Sequence, residues 1–155
     1  MAVTAGDQAP AFTAEGIEDG VRRTYTLEEF AGRPVVLVFY PGDNTAVCTR
    51  QLNAYSDDIA QFQQLDAQVL AVSPQDLDSH EGFAAAQGGF AFPLLADVDK
   101  ELGQAYGVLG PVGFYRRSVF VIDGQGVLRY VHRGFAGATF RKTPELVAAV
   151  KAASA

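Results

Sequence analysis

Apolar residues gather in short blocks along the chain, and the shape of each block predicts an element. Val35-Val36-Leu37-Val38-Phe39-Tyr40 is an unbroken β-branched and aromatic run, the pattern of a strand covered on both faces. Val69-Leu70-Ala71-Val72 is a second such strand. Between them, from about Ala46 to Leu65, Leu52, Tyr55, Ile59 and Phe62 fall at helical spacing. Asp76 to Gln87 reads as a helix stopped by Gly88-Gly89. Phe92 to Leu95 is a short strand, and Asp99 to Tyr106 a short helix. Ser118 to Ile122 and Val127 to Val131 flank Asp123-Gly124-Gln125-Gly126, a hairpin with turn chemistry at its centre. At the front, residues 12–15 and 21–25 form an opening hairpin around Gly16 and Gly20. Thr26-Leu27-Glu28-Glu29 is a capping-box pattern that starts a brief helix ending near Gly32. Thr143-Pro144-Glu145 opens the last helix, with Pro144 at its first position.

Strands interleaved with helices, then a hairpin, then a helix, predict a three-layer α/β/α fold with a central mixed sheet and an N-terminal hairpin extension. A thioredoxin-like architecture fits that order. With no repeat, linker or low-complexity stretch, residues 1–155 are expected to form one domain. The composition, 48% hydrophobic and 19% charged, is that of an ordinary globular protein. A net charge of -6 argues against nucleic acid as a partner, because phosphate binding needs a cationic face. No apolar run approaches the ~18 residues of a membrane span. Residues 1–7 show no basic region followed by an apolar core, so a cytoplasmic location is expected. The single cysteine excludes a Cys-x-x-Cys dithiol and a cysteine-rich zinc site. His80 and His132 show no ligand spacing; His80 is expected on a solvated helix face and His132 on a strand near the surface. Neither a metal nor a cofactor is expected.

The chemistry concentrates at Cys48. A buried strand delivers the chain to the turn Pro41-Gly42-Asp43-Asn44, and the turn delivers Cys48 to the first turn of a long helix. Free N–H groups and a partial positive charge at a helix N-terminus favour a thiolate. Thr45, three residues earlier, sets a hydroxyl within reach of the sulfur or of an oxygen beside it; it is equally a plain helix N-cap. Pro41 carries no N–H and packs a rigid ring over the site, or simply ends the strand. A lone cysteine is more often buried and inert. The strand-to-helix junction argues otherwise, because α/β sheets place their sites there.

Pro41-x-x-x-Thr45-x-x-Cys48 resembles the peroxiredoxin active-site signature. The wider Tyr40-Pro41-Gly42-Asp43-Asn44-Thr45-Ala46-Val47-Cys48-Thr49 is similar to the bacterioferritin-comigratory (PrxQ) branch. Gly6 to Phe12 resembles the family's opening segment, and Arg117 to Asp123 the strand that carries its active-site arginine. The resemblance implies a thiol peroxidase for hydrogen peroxide and organic hydroperoxides. In it Cys48 is the nucleophile that becomes a sulfenic acid. Arg117 stabilises the thiolate and the charge developing on the peroxide, and the N–H groups of Val47 and Cys48 hold its oxygens. Thr45 hydrogen-bonds the peroxide and Pro41 shields the sulfur. Motif alignment alone selects Arg117 over Arg116; strand alternation says only that one of the two points away.

Two departures from the branch stand out. Asn53 occupies the usual resolving-cysteine position, so the sulfenic acid needs an external thiol: thioredoxin, glutaredoxin or a low-molecular-weight thiol. Gln51 stands where a glutamate is usual, and a neutral side chain cannot ion-pair with Arg117. A monomer or small homodimer is expected. A redox sensor and a non-catalytic thioredoxin-fold binding module are the alternatives; retention of Thr45 and Arg117 counts against the second. The uncharged segment Gly107 to Gly113 is a connecting loop, a loop at the mouth of the site or a partner contact.

Overall fold

The computed structural model describes residues 2–134 and 139–154. Seven strands form one mixed sheet. They are β1 (Thr13–Glu18), β2 (Val21–Thr26), β3 (Val35–Phe39), β4 (Gln68–Ser73), β5 (Leu94–Ala96), β6 (Ser118–Ile122) and β7 (Leu128–Arg133). Their spatial order is β2-β1-β5-β4-β3-β6-β7. β3, β4 and β5 run parallel, as helical crossovers require, and antiparallel hairpins extend the sheet on both sides. This is the thioredoxin-like α/β fold expected from the sequence.

The helices are α1 (Ala46–Asp57), α2 (Ile59–Gln63), α3 (Leu77–Ala86), α4 (Glu101–Ala105) and α5 (Thr143–Ala153). Side-chain alternation along the central strands feeds two cores. Val36, Val38, Val69, Ala71, Val119 and Val121 pack with Leu52 and Tyr55 of α1, Phe62 of α2, Phe83 of α3, and Leu146 and Val150 of α5. Val35, Leu37, Phe39, Leu70, Val72, Phe120 and Ile122 face the opposite way, onto Phe30, Leu102, Tyr106 and Tyr115. Both faces of β3 are therefore covered, which is why its sequence shows no polar interruption.

Several boundaries differ from the expectation. The helix anticipated from Ala46 to Leu65 is two helices, with a one-residue irregularity at Asp58. Ser56-Asp57-Asp58 carries short polar side chains that compete for backbone bonds, and Ser56 Oγ accepts from Ala91 N at 2.8 Å. β1 runs through Gly16 instead of stopping before it; the turn lies at Asp19 and Gly20, both at positive φ as a two-residue hairpin requires. At Gly16 an added Cβ would stand 2.6 Å from Leu95 Cδ2 and 2.8 Å from the Tyr25 ring. Glycine is needed there for close packing within a strand, not for a turn. The capping box holds, with Thr26 N donating to Glu29 Oε2, but its helix is a single 3-10 turn, Leu27–Phe30.

His80 is the clearest correction. It sits on α3 as expected, but it is fully buried, not solvated. Leu77, His80, Phe83 and Ala84 share the inward face of the helix, and a buried acceptor meets each ring nitrogen. His132 lies on β7 and is half-buried. None of the described helices is long and apolar enough to cross a membrane.

Candidate active site

β3 ends at Phe39, and Tyr40 still donates its N–H to Val72 O of β4. The turn Pro41–Thr45 then lifts the chain over the C-terminal edge of the parallel strands, with Asn44 at φ 61°. Thr45 is the N-cap of α1, so Cys48 is the third helical residue. Among the described residues no side chain caps this N-terminus, and Thr49 N is the amide that closes the first turn, onto Thr45 O at 2.9 Å. The N–H groups of Val47 and Cys48 are thus left without helical acceptors. A helix end of this kind binds an anion.

Cys48 is wholly buried. Arg117, which immediately precedes β6, reaches across β3 and places Nη2 3.2 Å from Cys48 Sγ. The sulfur therefore accepts a bond from a guanidinium and sits in the first turn of a helix. Nη1 of Arg117 donates to Gln51 Oε1 at 2.6 Å, one helical turn beyond the cysteine. Gln51 Nε2 donates to Tyr55 Oη at 3.3 Å, and that hydroxyl donates to Arg141 O at 2.5 Å. Burial pushes the Tyr55 phenol up to about 12, so it remains a donor. Among the described residues no carboxylate ion-pairs with Arg117, and its Nε has no partner. Its positive charge thus meets the sulfur on one side and the neutral Gln51 amide on the other.

Of the two neighbouring arginines, Arg117 is the one that contacts Cys48. Arg116 turns the other way and donates from Nε to Gly134 O (2.9 Å) and from Nη2 to Arg133 O (3.0 Å). Thr45 is exposed, and its hydroxyl donates to Gly42 O at 3.0 Å, back into the turn and not to the sulfur. Pro41 is half-buried at the start of that turn, and Val47 half-buried beside the cysteine. Asn53 donates to Gln87 Oε1 of the loop after α3. The structure thus brings Arg117 onto both Cys48 and Gln51, with Thr45 and Pro41 in the turn just before α1.

Sequence reasoning did not reach a second polar cluster under the turn. Asp43, buried, accepts from Tyr40 Oη (2.6 Å) at Oδ1 and from Ser79 Oγ (2.7 Å) at Oδ2. His80 Nδ1 lies 2.7 Å from the same Oδ2, and Nε2 donates to Leu95 O at 2.9 Å. Asp43 N donates to Gln75 Oε1. Burial, reinforced by Asp43, pushes the Tyr40 phenol well above its ordinary value, which keeps it a donor. The signal for His80 was the spacing from Leu77 and to Phe83, which marks an inward helix face.

The AhpC/TSA family model matches residues 5–131. This chain belongs to the AhpC/TSA family. Mouse (Mus musculus) peroxiredoxin-2 is 41% identical over 133 residues, covering 81% of this chain and 67% of that protein. The chloroplastic 2-cysteine peroxiredoxin of Chattonella marina is 34% identical over 137 residues, covering 84% and 70%. The chain thus spans about two thirds of the length of these curated relatives. Among solved structures, Mycobacterium tuberculosis AhpC superimposes with a TM-score of 0.90 at 28% identity over 100% of both chains. The reduced 2-Cys peroxiredoxin of Plasmodium vivax gives 0.88 at 27% identity, over 96% of this chain and 94% of that one. These relatives confirm the peroxiredoxin family and fold. None of the four is a PrxQ protein by name.

Proposed function

We propose that this chain is a thiol-dependent peroxidase of PrxQ-like, one-cysteine type, reducing hydrogen peroxide and organic hydroperoxides through Cys48. The observation that carries the reading is the 3.2 Å contact from Arg117 Nη2 to a sulfur in the first turn of α1. The Cys48 thiolate attacks the distal oxygen of ROOH, the O–O bond breaks, and a proton converts the leaving RO⁻ to ROH. Sulfur is oxidised to the sulfenic acid while the peroxide is reduced. Arg117 and the N–H groups of Val47 and Cys48 stabilise the negative charge that develops on the peroxide oxygens. Thr45, released from Gly42 O, donates to the same oxygens, and Pro41 limits access of water.

Resolution comes from outside these 155 residues, which hold one cysteine. A first external thiol condenses with the sulfenic acid to a mixed disulfide and water; a second releases Cys48 and leaves as disulfide. Thioredoxin, glutaredoxin or a low-molecular-weight thiol supplies the electrons, in a reducing compartment such as the cytoplasm, and the working unit is a monomer or small homodimer. The test is peroxide consumption by wild type and Cys48→Ser with each reductant in turn. Serine is near-isosteric but a far weaker nucleophile, so turnover is abolished while the folded state persists. Substantial activity in folded Cys48→Ser removes the reading.

A further inference from the structure

We propose that His80 and Asp43 form a buried latch that positions the Pro41–Thr45 turn for reaction at Cys48; the inference rests on the peroxidase reading above. Asp43 is the residue through which the turn is tied down. Its carboxylate gathers Tyr40 from the end of β3 and both Ser79 and His80 from α3, while its N–H bonds Gln75 in the loop after β4. His80 is in turn fixed on β5 through Leu95 O. That carbonyl can only accept, so Nε2 carries a hydrogen, and the Nδ1–Asp43 contact is a charge-assisted bond that shares a proton between imidazole and carboxylate. The side chains of both residues are sealed from solvent, 0% exposed for His80 and 1% for Asp43. A buried charged group is costly unless every partner is in place. The carboxylate therefore has one low-energy position, and the turn has one low-energy path.

That path fixes the atoms nearest the chemistry. Gly42, adjacent to Asp43, supplies the carbonyl on which the Thr45 hydroxyl rests, and Thr45 supplies the carbonyl that closes the first turn of α1. No bond joins Asp43 or His80 to the sulfur, so both are positioning residues. They set where the Thr45 hydroxyl and the first N–H groups of α1 stand relative to a peroxide. The alternative is a purely structural tether, which would stabilise the fold without setting this geometry.

Two substitutions separate these cases, because the asparagine side-chain nitrogen lies where Nδ1 does and the glutamine nitrogen where Nε2 does. His80→Asn keeps the donor to Asp43 and loses Leu95; His80→Gln keeps Leu95 and loses Asp43. Each protein is reduced, mixed with hydrogen peroxide, quenched and followed by intact mass. Reaction with iodoacetamide is measured in parallel, since alkylation needs the thiolate but no aligned peroxide. His80→Gln slows peroxide oxidation about tenfold or more, as small misplacements at a reacting centre do, and leaves alkylation within about twofold. His80→Asn stays within about threefold of wild type, whatever its melting temperature. Equal peroxide rates in the two variants, fast or slow, or rates that follow melting temperature, overturn the latch. If either variant fails to fold, Tyr40→Phe and Ser79→Ala each remove one donor from Asp43. Both are then slowed about threefold toward peroxide and not toward iodoacetamide, and wild-type rates in both overturn the proposal. Failure of the peroxidase reading shows earlier and differently, as wild-type protein that peroxide does not oxidise at Cys48; the latch falls with it.

Discussion

Removing the Arg117 guanidinium is the sharpest perturbation the site allows. The charge stands 3.2 Å from the sulfur, and no carboxylate among the described residues shares it. At that separation and an effective dielectric of ~20, the bare attraction to a full negative charge is about 5 kcal/mol. Water admitted by an alanine restores part of this, so the loss resembles that of an oxyanion-hole donor, about 3–4 kcal/mol or 10²–10³ in rate. The assay is the second-order rate of Cys48 oxidation by hydrogen peroxide, read by intact mass in Arg117→Ala, Arg117→Lys and Arg116→Ala. Arg117→Ala also strands Gln51 Oε1, which adds about 1–3 kcal/mol of destabilisation, so thermal melts accompany the rates. Arg117→Lys keeps the charge but not the fork that spans sulfur and amide, and recovers part of the rate. Arg116→Ala leaves the rate within about twofold, because its guanidinium serves Gly134 and Arg133 carbonyls instead. A folded Arg117→Ala that oxidises at the wild-type rate, or a slow Arg116→Ala, refutes the assignment.

Gln51→Glu places a carboxylate against Nη1 and draws guanidinium charge away from the sulfur. Oxidation by peroxide slows about three- to tenfold, roughly 1 kcal/mol, and an equal or faster rate counts against the charge argument. Peroxide without reductant yields sulfenic acid at Cys48 and, as its concentration rises, sulfinic acid, whereas a small added thiol traps a mixed disulfide. Intact mass decides; Cys48 remaining a free thiol while other residues oxidise excludes the nucleophile. Burial and the neighbouring Arg141 hold the His132 imidazole below its ordinary value of 6.5, and its Nε2 accepts from Arg141 Nε. A depressed histidine stabilises the fold above its unfolded value and loses that contribution as pH falls through the folded one. An NMR titration of His132 therefore shows a midpoint below 6.5, and one at or above 6.5 contradicts the contact.

Legibility followed locality. β3 was readable because both of its faces are covered, and Cys48 because strand, turn and helix start lie within a few residues. The choice of Arg117 over Arg116 came from motif resemblance; period-two alternation shows that neighbours diverge, not which one meets the sulfur. Asp43 looked like an ordinary turn residue because its partners Ser79 and His80 lie 36 and 37 positions away. Nothing in a P-G-D-N turn points to a histidine on another helix. Gly16 misled in the opposite sense: read as a turn, it is the strand position where Tyr25 and Leu95 close over the backbone. The break at Asp58 escaped because the apolar spacing of Leu52, Tyr55, Ile59 and Phe62 continues across it.

The seclusion of Cys48 sorts its visitors by size. A sulfur with no exposed surface is reached only when the turn or the first turn of α1 opens, and a molecule of a few atoms needs a smaller opening than the face of a folded protein. On the one-cysteine reading, hydrogen peroxide and a small thiol then compete for the freshly oxidised cysteine through small openings, while a protein thiol needs α1 to loosen at its first turn. On that reading the ratio of peroxide to small thiol in its surroundings helps to set how many cycles one molecule completes before a second peroxide oxidises it beyond recovery. Counting turnovers to inactivation at fixed peroxide makes the point measurable. A small thiol prolongs the working life in proportion to its concentration, and a protein reductant at the same thiol concentration prolongs it less.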